Sequence, residues 1–453
     1  MNPMKSRISP AVLRGSALAL AAALTLSACG GGGGNDAGGA APEEVSADDV
    51  QAALETGGDL TVWAWEPTLE KVVEDFEAEY PNVNIDLVNA GTGNDQYTAL
   101  QNAIAAGSGV PDVAQVEYYA LPQFALAESV KDLTGYGAGD LQDTFSPGPW
   151  SSVQANEGIY GLPMDSGPMA LFYNTDVFEK YGVEVPTTWE EYVEAARTLH
   201  EADPNVYIAN DTGDAGFATS LIWQAGGQPY QVDGTDVTVN FSDEGSTKFA
   251  ETWQQLLDED LLAPISSWSD EWYQGLGNGT IATLSTGAWM PGNFTSGIPQ
   301  AAGQWRAAPL PQWEEGQTAS AENGGSSLTI PAASEQGALA YAFLDYANVG
   351  DGVQTRIDGG AFPATSAQLQ SEEFLNTEFE YFGGQKANEI FAESAQNVPE
   401  GWSYLPFQVY ANSIFNDTAG QAYVSDTPLS EGLKNWQDAS VKYGNEQGFT
   451  VSE

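Results

Sequence analysis

The chain has 453 residues with 63 acidic and 13 basic side chains, a formal charge of −50 at neutral pH. Such a surface repels nucleic acid and anionic lipid, and only Arg197, Arg306 and Arg356 lie beyond the N-terminal region to clamp a phosphate or carboxylate, so an anionic cargo is disfavoured. One cysteine excludes an internal disulfide, and one histidine, His200, leaves no Cys/His cluster for zinc or iron.

The N-terminus opens with Lys5, Arg7 and Arg14 and no acid, followed by an apolar run from Ser16 to Thr25 that is too short to span a bilayer. These are the marks of an export signal. Leu26-Ser27-Ala28-Cys29 resembles a bacterial lipobox, in which cleavage precedes the cysteine and Cys29 becomes lipid-modified. Residues 1–28 are therefore read as a lipoprotein signal peptide. Residues 29–58, rich in Gly, Ala and acids, are read as a flexible tether reaching roughly 30 Å on average. Folded structure is expected from about Asp59.

From there the pattern is α/β. "DLTVWAWEP" reads as a buried strand, and "TLEKVVEDFEAEYP" as a helix with Leu69, Val72, Val73, Phe76 and Tyr80 on one face. "VNIDLV", "DQYTALQNAIAAGSG" and "PDVAQVEY" continue as strand, helix and strand, which implies a parallel sheet with right-handed crossovers. A second unit begins near "GPMALFYNTDVFEKYG". It runs into a helix that Thr187 with Glu190, or Thr188 with Glu191, can start with a capping box. "GTIATLSTGAW" and "GGSSLTIPAAS" read as later strands, and "EQGALAYAFLDYAN" as a helix. The last ninety or so residues are mainly helical in pattern, interrupted by "NVPEGWSYLPF". About 400 ordered residues exceed one core and predict two lobes.

Several chemistries lack their residues. His200 sits on the polar flank of its helix and reads as a surface histidine, with no G-x-S-x-G elbow to accompany it. Neither H-E-x-x-H nor a P-loop occurs, and "GLGNGT" at 275–280 reads as a turn. Paired carboxylates are unavoidable among so many acids and do not single out glycoside hydrolysis.

What remains is the composition of the strand ends, where ligands of open α/β sheets bind. The first strand ends in Trp65-Glu66-Pro67, the second in "NAGTGND", and the third in Glu117, Tyr118 and Tyr119. Aromatic faces beside carboxylates suit a neutral polyhydroxy ligand: pyranose C–H faces pack on the rings, and hydroxyls donate to carboxylates, each charge-assisted bond contributing roughly 1.5–3 kcal/mol. The same groups also suit an ammonium ligand such as a polyamine through cation–π contacts. A secreted glycan-cleaving enzyme is a third reading.

From end to end the chain resembles the extracellular solute-binding proteins of ABC importers, in the sugar-binding group (family 1) that includes maltose-binding protein. The resemblance is carried by "LTVWAWEP", "AAGSGVPDVAQVEYYALPQFA", "GIYGLPMDSGPMALFYNTDVFEKYGVEVPTTWEEYVEAA", "NGTIATLSTGAWMPGNF", "NGGSSLTIPAAS" and "GGAFPATSAQL". It implies a two-lobed periplasmic-binding-protein fold, each lobe a mainly parallel sheet flanked by helices. The first lobe would be residues 59–168 with 324–362 and the second 169–323 with 363–453. It further implies a monomeric, non-enzymatic receptor without cofactor or metal. Held by lipid on Cys29 at the outer face of the cytoplasmic membrane, it would close on a sugar and deliver it to the importer's permease.

By the same resemblance Trp65 and Glu66 match the first ligand loop, and Glu117 and Tyr118 the loop after the third strand. Asp165 lies in a segment near the hinge, Trp289 matches a stacking tryptophan of the second lobe, and Asn323, Gly324 and Gly325 match a backbone approach at the hinge. Phe362 forms a neighbouring wall and Trp402 lines the cleft from the C-terminal loop. The chain departs from maltose-binding protein in lacking its acid–lysine pair after the first strand and in carrying Gly167 where the family glutamate aligns.

Overall fold

Strand Gly58–Trp63 forms where Leu60 and Val62 alternate inward, and it pairs in parallel with Val83–Val88 on one side and Val113–Glu117 on the other. These strands belong to a computed structural model that describes residues 43–155 and 158–453. The signal segment, Cys29 and the N-terminal part of the tether lie outside the described residues. Helices Leu69–Glu79 and Asn94–Ala106 supply the two parallel crossovers. The sheet is then extended by a strand from far along the chain: Ser326–Thr329 pairs antiparallel with Val113–Glu117 and, on its other edge, with Leu162–Pro163. Its core joins Val62, Phe76, Val116, Leu328 and Phe343.

The second lobe departs from the parallel expectation. Its main sheet is antiparallel, with Met169–Asn174 in the centre between Thr283–Gly287 and Trp305–Ala308. Both strands that flank Met169–Asn174 come from far along the chain, after several intervening helices, so their direction is set by long-range pairing rather than by a single βαβ crossover. The run Met169-Ala170-Leu171-Phe172 is apolar throughout because both faces of this strand are covered. Met169 and Leu171 enter a core with Trp189, Trp253 and Trp436, while Ala170 and Phe172 enter an aromatic core with Phe294, Trp305, Phe382 and Phe391. The capping box of helix Trp189–Ala202 uses Thr188 and Glu191.

The lobes are linked by paired crossing segments. Asn323 donates its N–H to Gly167 O at 2.8 Å, and Met169 to Ala321 O at 2.9 Å. Gly167 is required by this approach, since a Cβ there would lie 2.2 Å from Asn323 O. A third crossing runs beside them, with Asp165 bridging to Pro363.

The expected tether is partly folded. Ala47–Thr56 is a helix, started by a Ser46/Asp49 capping box. Its Val50, Ala53 and Leu54, spaced for one helical face, pack against the first-lobe core. Ahead of it, the Glu43 carboxylate meets Lys131 at 2.7 Å and accepts from the Tyr136 hydroxyl at 2.9 Å. A soluble chain beginning at Asp59 is therefore expected to be less stable than one beginning at Glu43 by about 2 kcal/mol, from the lost apolar burial. Urea unfolding of the two would measure this, and equal midpoints would refute it.

Candidate functional site

Strand ends and crossing segments converge on one cavity of about 1030 Å³ between the lobes. Eight of the ten residues expected at a ligand site line it: Trp65, Glu66, Glu117, Asp165, Trp289, Asn323, Gly325 and Phe362.

The first loop is fixed from behind. The side-chain oxygen of buried Gln115, on the central strand, accepts the N–H groups of both Trp65 and Glu66, at 3.0 and 3.1 Å. The Glu66 Oε2 accepts from Thr68 Oγ1 at 2.5 Å and lies 3.8 Å from Nε of Arg356. Arg356 is itself buried. It donates to Met164 O, while its Nε and Nη2 have no hydrogen-bond partner among the described residues. Its charge therefore acts on Glu66 and Asp165 from beneath the cavity.

Glu117 receives the Tyr97 hydroxyl at 2.9 Å, and that hydroxyl accepts Glu117's own N–H at 2.9 Å. Burial pushes the Glu117 carboxyl up to about 7 against these hydrogen bonds. Asp165 accepts from the Ser326 N–H at 2.6 Å; burial raises it to about 6, opposed by Arg356. Trp289 donates its indole N–H to Asn323 O at 2.7 Å, with the ring against Gly324 (φ +81°). Phe362 meets Phe374 and Phe391 edge-on within the second-lobe aromatic core.

Two expected residues do not line the cavity. Tyr118 is buried, with its ring against Gly325 and its hydroxyl on Asp165 O at 2.6 Å. Chain alternation past the strand turns Glu117 and Tyr119 to the cavity and Tyr118 away. Trp402 lies parallel on Trp223 at 4.9 Å, and the lining position is taken by Tyr404.

Sequence reasoning missed the contribution of "ANDTGDAG", whose Asp211 and Asp214 line the cavity. Asp211 accepts from Gly213 N–H and Trp253 Nε1, and burial raises it to about 6. Asp214 caps helix Ala215–Gln224. The signal was available, since this loop follows a short strand and shares the Gly/Asp character of "NAGTGND". Glu322 was also missed. It accepts from Gly167 N–H at 2.6 Å and from Ser166 Oγ, and burial raises it to about 7.

The lining thus combines Trp65, Tyr119, Trp289 and Tyr404 with carboxylates and small polar groups, and no Lys, Arg or His is among the described residues that line it. It offers aromatic faces and hydrogen-bond acceptors, and repels anions.

The model of the family described as "Bacterial extracellular solute-binding protein" matches residues 63–348. The chain belongs to that family. Its members are substrate-binding receptors of ABC transporters rather than enzymes, and they work outside the cytoplasm. Over 414 residues the chain is 27% identical to the lactose-binding protein of Rhizobium radiobacter, covering 85% of this chain and 92% of that one. An ABC-transporter-associated binding protein from B. animalis subsp. lactis Bl-04, solved with beta-1,6-galactobiose, is 46% identical with a TM-score of 0.82; the match covers 87% of this chain and 99% of that one. The galacto-N-biose/lacto-N-biose I-binding protein of Bifidobacterium longum is 27% identical with a TM-score of 0.77, over 88% of this chain and 99% of that one.

Two outcomes follow from this geometry. Glu117, Glu322, Asp165 and Asp211 have folded-state pKa values above those of the unfolded chain, so the folded state binds more protons between about pH 4 and 7. Unliganded stability is therefore expected to rise as pH falls from 8 to 5.5, while acids held low by surface partners, such as Glu259, titrate below that window. Urea midpoints across the range would check the sign. Gly167→Ala, which forces Cβ onto the crossing segment, is expected to destabilise by about 1–3 kcal/mol, as other overpacked sites do. Wild-type unfolding would show that the crossing yields.

Proposed function

We propose that this chain is a lipid-anchored extracytoplasmic receptor that binds a neutral sugar or short oligosaccharide between its lobes and delivers it to the permease of an ABC importer. The observation that carries this reading is the cavity itself, in which aromatic faces alternate with carboxylates and no basic side chain stands among the described lining residues. Carboxylates accept from adjacent hydroxyls while rings cover the C–H faces of a pyranose. The names of three relatives, a lactose-binding protein and binding proteins solved with beta-1,6-galactobiose and lacto-N-biose, support galactose-containing disaccharides as candidates.

Trp65, Glu66, Glu117, Asp165 and Trp289 are the proposed ligand contacts, with Asn323, Gly325 and Phe362 shaping the wall between them. The lobes divide near residues 168, 323 and 362, where the chain crosses, and closure about these segments encloses the sugar. Lipid on Cys29 keeps the receptor beside its permease. A second reading, a polyamine receptor, is favoured by one feature: Glu66, Glu117, Asp165, Asp211, Asp214 and Glu322 all face the cavity.

A thermal-unfolding screen with beta-1,6-galactobiose, lactose, maltose, spermidine and putrescine at two salt concentrations separates the readings. A sugar at a hundred times its Kd adds about 2.7 kcal/mol and raises the midpoint by a few degrees, with little response to salt. Trp289→Ala is expected to weaken that sugar at least tenfold. A rise with polyamines alone, lost in high salt, would overturn the sugar reading.

A further inference from the structure

Trp268 is more than half exposed, at 53%, and has a backbone φ of +67°. A bulky side chain rarely adopts that left-handed conformation, and a large aromatic ring is rarely left in water without a use.

The turn that imposes it is firmly held. Asn210 donates through Nδ2 to Ile265 O at 3.0 Å and to Ser267 Oγ at 2.9 Å, and its Oδ1 accepts the indole N–H of buried Trp272 at 2.8 Å. Ser269 closes the turn onto Ser266 O and caps the helix Asp270–Asn278. The strain is therefore maintained by neighbours on three segments. Its effect is to set the Trp268 ring at the rim of the cavity, packed on Trp272 and near-parallel to Trp289 at 29°.

The Trp268 and Trp289 centroids are 5.8 Å apart with the rings near-parallel, and both rings line the cavity, Trp268 with more than half its surface open. Trp289 is the inner ring, bound through its N–H to the crossing segment at Asn323 O, and Trp268 is the outer one. The step between them is comparable with the span of one hexopyranose residue.

We propose that Trp268 is the platform of an outer sugar subsite, stacking the second ring of a disaccharide whose first ring lies against Trp289. The proposal rests on the saccharide reading above. It makes Trp268 a determinant of chain length: it holds disaccharides and is indifferent to monosaccharides.

The test is calorimetric titration of the whole soluble receptor and its Trp268→Ala, Trp268→Gly and Trp268→Phe variants with galactose and with beta-1,6-galactobiose. Galactobiose affinity is expected to fall at least tenfold in the Ala and Gly variants and to be largely restored by Phe, with galactose within twofold throughout. Trp268→Gly is expected to melt above Trp268→Ala, because glycine adopts the left-handed conformation without strain. Unchanged galactobiose affinity in the Ala variant, or equal losses for both sugars, overturns the subsite. Failure of the unmodified receptor to bind either sugar overturns the galactoside subsite assigned here, while the saccharide reading itself falls only if the wider sugar panel above is also silent, and both are distinct from a loss confined to the variants.

Discussion

The structure depends on how one buried carboxylate is satisfied. Glu322 lies in the segment returning toward the first lobe, and it accepts hydrogen bonds from Ser166 and Gly167 in the segment leaving it. An unpaired carboxylate at that depth would be strongly destabilising, so the two crossings are held together by the need to pair it. Gly167 serves this twice, donating its N–H and, by lacking a Cβ, admitting the Asn323 carbonyl. The remaining site geometry follows from that contact. Asn323 O fixes the Trp289 indole, and Ser326 N–H fixes Asp165.

Energetically the cavity and the cores work in opposite directions. The cores are conventional, with Trp189, Trp253 and Trp436 in one cluster and Phe172, Phe294 and Phe391 in another. The cavity instead holds carboxylates that burial raises toward neutrality, so the empty receptor carries a desolvation penalty there. Hydroxyl donors from the proposed neutral ligand would relieve that penalty by hydrogen-bonding the charged forms. Binding and protonation thus compete for the same oxygens, and the empty and filled states have opposite preferences for acid.

Much of this was legible in the sequence where one period or one short motif carried the information. The strand and helix alternation from Asp59 to Glu117 and the capped helix after Thr188 follow from local pattern, and the two-lobed fold from chain length and the family resemblance. The antiparallel second sheet was not legible, because "MALF" is equally apolar in either kind of buried strand and only long-range pairing decides the direction. The helix Ala47–Thr56 was obscured by acid-rich composition, although Ser46, Asp49 and the spacing of Val50, Ala53 and Leu54 mark it. Within the site, strand-end residues were found because their position follows from the sheet. Tyr118 was misplaced by one residue of alternation beside Glu117 and Tyr119, whereas Trp402 lies in an irregular segment where no period assigns a direction and its ring packs on Trp223 instead. Trp268 left no signal in composition, since its role comes from a backbone angle.

The acidity of the chain poses a last question: how a cavity so rich in acids would favour the proposed neutral ligand over a cation. The answer lies in where the few bases sit. Most make exposed pairs, such as Arg197 with Glu194 and Glu259, or Lys434 with Asp438, and these contribute little to stability. Arg356 is the exception. Buried beneath Glu66 and Asp165, and carrying N–H groups without partners among the described residues, it places a fixed positive charge where a bound ammonium would otherwise supply one. The charge beneath the first loop is thus already offset by the protein. What those carboxylates still lack is hydrogen-bond donors without charge, and these are what a sugar brings.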